Sequence, residues 1–506
     1  VLTYSSASGG IVLAAAGGGG GATDLNGLSD CLVDTLSLYV GEVPSGLSGN
    51  PQDNTILGID AGASITTSNS STIIGANAGN SLTSGNRQTI VGHDAGSSIT
   101  TSSSNTLFGY EAGRGISGAS DRNVVVGDMA CRAGAGDDNV AIGSSAGSNW
   151  SSAVEDAVAI GGFAASSSGG ASGMVAIGRQ SGRVNTNQGH ISIGYQAGYS
   201  QTSGTNNTNI GYQANYTNTT GSRNVTLGYE AGYNNVGSDG VLIGYQAGYL
   251  AASSLNRNTM VGAYAGRDVG STRFSNTFIG YQTGRYYDSN LNCFVGSGTG
   301  RGNSGGASGS LNTAIGGACF ENSTTASRFI AIGYQTLKNG TNTGNRITAI
   351  GCDIHVSDSL TGSDNVIIGS SGSLSAVGVS NEVNLYNGSV VARFQGAASA
   401  WSFVSDERDK KDIEDLELGL DFVNKLKPRK FKWDIRGKEE NKNKEASGFI
   451  AQEVKQTLEE VGASYTGIVD DNNPEQLTLA QANIIPMLVK SIQELKAEIE
   501  LLKSKK

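Results

Sequence analysis

The chain has 506 residues and a formal net charge of -10, but its amino acids are unevenly spread: 70 of the 75 glycines precede Ser405, whereas the last 102 residues hold 18 of the 34 Lys and Arg and 21 of the 44 Asp and Glu. Two kinds of protein are joined at that point, and the thin acidity of the first part offers no basic stripe of the sort that neutralises phosphates, which argues against a nucleic-acid partner. Five cysteines (Cys31, Cys131, Cys293, Cys319, Cys352) and three histidines (His93, His190, His355) are scattered, so no disulfide framework, metal site or cofactor is expected, and the cysteines read as small buried residues.

Residues 1–51 precede any periodicity and read as an arm. Its Gly10 to Gly21 stretch, GIVLAAAGGGGG, lacks a basic leader and is too short to cross a bilayer, so membrane insertion is not expected.

From residue 52 to 372 an apolar residue followed by glycine recurs at nineteen positions, from Gly58, Gly75 and Gly92 to Gly351 and Gly369, with spacings of 16 to 20. A period near 17 residues sustained over 300 marks a repeat architecture in which each unit buries its apolar face against its neighbours. Segments such as Asn139-Val140-Ala141-Ile142-Gly143 read as short strands of period two, with the residues one and three before the glycine on one apolar face. Asn begins eleven of these segments, and Ala stands three residues after the glycine in twelve units. Each unit is too short for a helical crossover, which leaves a mainly β fold: a parallel β-solenoid or roll of about nineteen coils. No proline lies between Pro51 and Pro428, as backbone ladders require. Strands about 4.8 Å apart would make a shaft on the order of 90 Å long.

The units NVAIGSSAG (139–147), AVAIGGFAA (157–165) and MVAIGRQSG (174–182) closely resemble the head repeats of trimeric autotransporter adhesins. The resemblance implies a trimeric parallel β-roll and an adhesin-like role, although the unit here is longer and richer in glycine. Recurring tyrosines (Tyr195, Tyr199, Tyr229, Tyr233, Tyr245, Tyr249) would either present an aromatic stripe to a sugar or protein, or stack on their own copies in adjacent coils, the stronger expectation for a fixed repeat position. Residues 373–404 break the repeat with two alternating runs joined near Asn387-Gly388, a hairpin neck.

Residues 405–506 form the charged tail, expected to be an α+β domain. It opens with Ser405-Asp406-Glu407-Arg408-Asp409-Lys410, continues through Gly448-Phe449-Ile450-Ala451-Gln452-Glu453, and ends in an apolar-periodic helix over about 481–503. Ile485, Ile492 and Ile499 alternate there with Leu488, Leu495 and Leu502 over three heptads, a coiled-coil seam expected to self-associate, and by heptad rules the Ile/Leu choice suits two strands better than three. Taken singly, Ser405 would be a helix N-cap and Lys410 a solvated charge.

In combination, S-D-x-R-x-K at 405–410, G-F-I-A-Q-E at 448–453 and the terminal helix resemble the self-cleaving intramolecular chaperone domain of phage tail fibres and tailspikes, the peptidase S74 or endosialidase chaperone family. The resemblance implies a trimer and a catalytic dyad of Ser405 and Lys410. Serine is a poor nucleophile until a neighbouring base takes its proton, and a desolvated lysine can serve. It implies cleavage between Ser405 and Asp406; from geometry the bond between Val404 and Ser405 is also open, since a hydroxyl reaches the preceding carbonyl through a five-membered ring. Arg408, Gln452 and Glu453 would support the site or trimer contacts, and Phe449 and Ile450 would be core.

The expectation is a virion fibre, made in the host cytoplasm, that binds a host-surface glycan or protein and meets other virion proteins through residues 1–51. A glycan-degrading tailspike is the alternative, although the shaft is poor in carboxylates; a cellular trimeric adhesin is a third possibility.

Overall fold

A computed structural model describes residues 44–505 apart from 49, 168, 170–171, 186, 251–254, 269–272, 303–305, 323–324, 339–342, 357–361, 371–372, 375–379, 388–389, 396–401, 404, 406, 434–444, 472 and 476; before residue 44 it describes 2–5, 10–13, 31–34 and 36–41. About half of the arm expected at 1–51 thus lies outside the described residues, and the rest corrects its boundary: Ser37–Gly41, itself paired antiparallel with Cys31–Asp34, lies parallel to Thr55–Gly58, so the ladder begins inside the expected arm. The chain forms two compact units, Val1–Val404 and Ser405–Lys506.

The first unit is a parallel β-solenoid of about 18 turns. Each coil contributes one short strand, typically three residues, paired in parallel with the strands before and after it without a register slip. Thr55 stands beside Thr72, Thr72 beside Thr89, Thr89 beside Thr106, and the same position runs on through Val140, Val158, Val225 and Thr277 to Thr348 and Val366. Hydrogen bonds outside the strands continue from coil to coil: Asn77 N donates to Ile59 O at 2.9 Å and Gly62 N to Ala78 O at 2.9 Å. Most backbone amides of a coil are thereby satisfied by a neighbouring coil, while a few close turns within the coil, as Ala78 N does on Gly75 O at 3.2 Å.

The glycine that ends each strand permits this stacking. Gly178 has φ +124°, and a Cβ on it would lie 2.6 Å from Gly194 O of the next coil. No side chain fits there, because the obstacle is backbone.

Side-chain direction departs from the expectation. The strand residue two before the glycine points inward, so Ile56, Ile73, Ile90, Leu107 and Val125 are buried, each side chain contributing about 2 kcal/mol. The positions one and three before the glycine, the first apolar in every unit and the second commonly Val or Thr, face outward: Leu57, Phe108, Ile142, Val225, Leu227 and Ile368 are exposed in the single chain. The period of two was legible, but the inner face carries whatever fits a narrow coil, often Ala, and the aliphatic face lies outside.

The asparagine four residues before the glycine makes a buried column. Asn139 accepts the Ala157 amide on Oδ1 at 2.9 Å and donates Nδ2 to Val154 O at 2.7 Å, while its own amide binds Asn123 Oδ1 at 3.0 Å. Related links join Asn207 to Asn224 and Asn276 to Asn292. The tyrosines stack in two rows: Tyr195, Tyr212, Tyr229 and Tyr245 follow one another at 4.9 to 5.2 Å, and Tyr199, Tyr216, Tyr233 and Tyr249 at 5.0 to 5.2 Å. Cys131 and Cys319 are buried, which pushes the Cys319 thiol up to about 12; contrary to expectation Cys293 is half-buried and Cys352 exposed, because they lie off the inner face.

After the strand Val366–Ser370 the ladder gains Glu382–Asn387 in parallel, which pairs antiparallel with Val390–Gln395, on which Ser402–Phe403 lies antiparallel.

The second unit contains helix α1 (Leu420–Lys425), strands Arg429–Lys432 and Glu445–Gly448 paired antiparallel, helix α2 (Ala451–Glu460), a small ribbon of Val469–Asp470 with Thr478–Leu479, and helix α3 (Ile485–Ser504) after a tight turn over Gln481–Ile484. Leu418, Phe422, Leu426, Val454, Leu458, Ile468 and Met487 make its core, with Phe449 packed at the margin and Ile450 half-buried.

Gly178→Ala should destabilise the shaft by about 3 kcal/mol or more, since the clash is with backbone and φ is positive. Gly169→Ala, at an exposed glycine whose Cβ would meet nothing within 4 Å, should leave the thermal melt unchanged. Asn139→Ala should cost about 2 kcal/mol by stripping partners from two buried backbone groups.

Candidate functional site

The first residues of the second unit fold into one tight turn. Glu407–Asp409 forms a single 3-10 turn, and the Lys410 amide closes it on Glu407 O at 3.1 Å. Reversing the chain over five residues returns the lysine side chain to the serine: Lys410 Nζ donates to Ser405 Oγ at 2.6 Å, and both residues are exposed. The distance is within the hydrogen-bond reach that a nucleophile and its base require, although the lysine is exposed and not desolvated as expected. Asp406 and Val404, the far sides of the two candidate scissile bonds, lie outside the described residues.

The other expected site residues are placed differently. Arg408 is exposed within the 3-10 turn. Glu453, in the first turn of α2, is held by Arg429 through two bonds, Nε to Oε2 at 3.0 Å and a terminal guanidinium nitrogen to Oε1 at 2.6 Å. The Arg429 hydrogen bond holds the Glu453 carboxyl below its ordinary value, with Lys427 adding a smaller effect. Gln452 is exposed at a groove lined also by Phe431, Trp433, Phe449, Leu479 and Gln481, where the Phe431 and Trp433 rings meet edge to face at 5.2 Å.

Two residues escaped the sequence reading. Arg429 sits in a basic run that gave no sign of which carboxylate it would meet. Glu494, four residues after Lys490, looks like half of a solvent pair, yet its Oε2 accepts the Leu420 amide at 2.6 Å and so caps α1 with a carboxylate. Helix α3 thereby docks through Met487, Ser491 and Glu494 on one side, with Pro486 in its first turn. Its heptad residues Ile485, Leu488, Ile492, Leu495, Ile499 and Leu502 are all exposed, Ile492 at 66%.

In the shaft the stacked tyrosines leave little ring face open, because each is covered by the next ring along; Arg183 and Arg267 add cation–π contacts, their guanidinium carbons each 5.4 Å from the ring centres of Tyr199 and Tyr249. Sugars bind aromatic faces, so these rows are occupied with one another. No helix among the described residues is long and apolar enough to cross a membrane, and no group of His, Cys, Asp and Glu there is arranged to hold a metal.

Arg429→Ala should return the Glu453 titration towards 4.5, its ordinary value, as NMR would follow. Because Glu453 is depressed when folded, the pair's small stabilisation is present above about pH 4.5 and fades as pH falls through the lowered value; Glu453→Gln should therefore flatten the acid side of the second unit's stability curve.

The family model described as the chaperone of endosialidase, peptidase S74, matches residues 405–463, beginning on Ser405 itself. No curated protein and no solved structure matches the chain significantly. The second unit therefore carries a chaperone-of-endosialidase segment behind a parallel β-solenoid shaft of about 18 turns, a combination consistent with a phage tail fibre that bears its own chaperone.

Proposed function

We propose that the chain is a virion fibre or spike for host attachment whose C-terminal unit trimerises it, assists its folding and then cleaves itself off beside Ser405. The observation that carries the cleavage reading is the 2.6 Å contact between Lys410 Nζ and Ser405 Oγ, at the start of the matched family segment. Ser405 Oγ attacks the acyl carbon of the adjacent peptide bond, an ester C–O bond forms and the C–N bond breaks. Neutral Lys410 takes the hydroxyl proton and passes it to the leaving nitrogen; water then hydrolyses the ester. The step is a single turnover.

Trimerisation is supported by two apolar surfaces that a lone chain leaves wet, the heptad stripe of α3 and the aliphatic outer face of the solenoid. Three copies brought into register by α3 could bury that face along the shaft. Register is what a parallel ladder needs before it gains anything from pairing. Host attachment, contact with other virion proteins through residues 1–51 and a place on the virion follow from the fibre reading.

Denaturing electrophoresis with mass spectrometry of freshly made protein tests it. The wild type should yield two fragments split beside Ser405; Ser405→Ala and Lys410→Arg should stay intact, since a guanidinium does not give up its proton. An uncleaved wild type under native folding conditions would remove self-cleavage from the account. Light scattering should give a trimer, and Ile492→Lys with Leu495→Lys should lower the yield of assembled fibre at least ten-fold.

A further inference from the structure

In many coils of the described shaft the interior holds a pair of side chains, one from two residues before the strand-end glycine and one from seven after it. The Cδ1 atoms of Ile56 and Ile65 both approach Gly62, and Leu107 and Ile116 both approach Gly113. Ile73 with Leu82 and Ile90 with Ile99 occupy the same positions, and where the strand residue shrinks to Ala141 the partner grows to Trp150. One apolar cluster runs from Tyr39 to Ala176 and another from Leu242 to Ile367.

Between them the column changes chemistry. The pairs become Ala176 with Asn185, Ser192 with Gln201, Asn209 with Asn218 and Thr226 with Asn235, all at most 1% exposed. Some of this polarity is satisfied internally: Thr226 Oγ1 donates to Asn209 Oδ1 at 2.8 Å, Asn215 Nδ2 donates to the same oxygen at 2.9 Å, and Asn218 Oδ1 accepts the Gly221 amide at 2.7 Å. Most buried side-chain nitrogen and oxygen atoms without a partner among the described residues nevertheless fall here: Asn185 Nδ2, Gln201 Nε2 and Oε1, Asn215 Oδ1, Asn235 Nδ2 and His190 Nδ1, together with Arg183 Nε, whose guanidinium lies over the Tyr199 ring in the outer tyrosine row.

We propose that the shaft interior between residues 178 and 237 is a hydration site, a file of ordered waters joining two dry, apolar-cored segments. Leaving one buried amide unpaired costs on the order of 1–3 kcal/mol, so a run of them needs partners. Asn185, Gln201 and Asn235 stand seven residues after the strand-end glycine, Asn215 reaches the same interior through its bond to Asn209, and His190 holds the position of the asparagine column; all are neutral donors or acceptors. His190 belongs with the acceptors: its Nε2 lies 2.8 Å from Gly204 O and donates to it, which leaves the Nδ1 lone pair open. Apart from Arg183, which is held at the outer Tyr199 row, these orphaned atoms carry no charge, so water, which donates and accepts, suits the set better than an ion of either sign. Space is consistent with this, since Ser192 with Gln201 fills less volume than Ile–Ile or Ala–Trp pairs, whereas beside Ala176 with Asn185 the buried Met174 takes up part of the room. The tyrosine rows coincide with these coils, spanning Tyr195 to Tyr249, and supply on the outside some of the cohesion the interior gives up.

Hydrogen exchange of the full-length fibre and a map of it that resolves water test the proposal together. Amides of Ile191–Ile193, Thr208–Ile210 and Val225–Leu227 should exchange at least ten-fold faster than those of Thr72–Ile74 and Thr277–Ile279, and solvent density should lie within hydrogen-bond reach of the Gln201 and Asn215 amides. Gln201→Leu, which restores the residue type of Leu82, should slow exchange at Ile191–Ile193. Equal protection along the shaft, or a dry column in a map that shows water elsewhere, would overturn it.

Discussion

Everything in the shaft depends on the coil-to-coil backbone ladder keeping one register. A coil shares its amides with the coils on either side, so its strand, its turn and the asparagine column are satisfied together or not at all. The conformations this demands are locally unfavourable. Among the described residues non-glycines such as Asp60, Glu111, Gln196 and Gln335 hold φ between +50° and +56°, at roughly 1–2 kcal/mol each, and only the stacked neighbours make them tolerable. A single coil therefore has no stability of its own, and the first few must be assembled before the rest can propagate. Such a fold gains from a separate unit that sets the register, and the C-terminal unit, with its own core and its exposed heptad stripe, has the features for that part.

The solenoid divides its chemistry unusually. The inner face accepts Ile, Ala, Phe, Ser or Asn, because pairs across a narrow interior can compensate in volume or recruit hydrogen bonds, while the outer face keeps Ile, Leu and Val at almost every turn. For a protein that remains single this would be the wrong way round. For one that assembles along its length the outer face is a second core, and the inner column is free to vary, as it does from Ser192 to Asn235.

The contact between Ser405 and Lys410 rests on a local device of a different kind. One 3-10 turn returns Lys410 to Ser405, so the pair forms from six consecutive residues and requires no distant scaffold. Glu453, though part of the family-like motif, is committed to Arg429 and stabilises the start of α2; its contribution is to the unit's fold.

Periodicity determined the repeat and the parallel ladder, because a strand-end glycine and an apolar period near 17 residues admit few other folds, and the change in glycine and charge composition marked where the charged tail begins. The Ser405 and Lys410 pair was named by resemblance to a family motif, and the intervening 3-10 turn decides that the two side chains meet. Which strand face turns inward was decided only in three dimensions, since alternation fixes two faces but not which is enclosed. The same holds for Arg429 on Glu453 and for Glu494 capping α1, pairings 24 and 74 residues apart in sequence. The polar interior, too, emerged only when each Asn and Gln was assigned a place inside or outside the coil, a choice made by the packing of neighbouring turns and not by residue type.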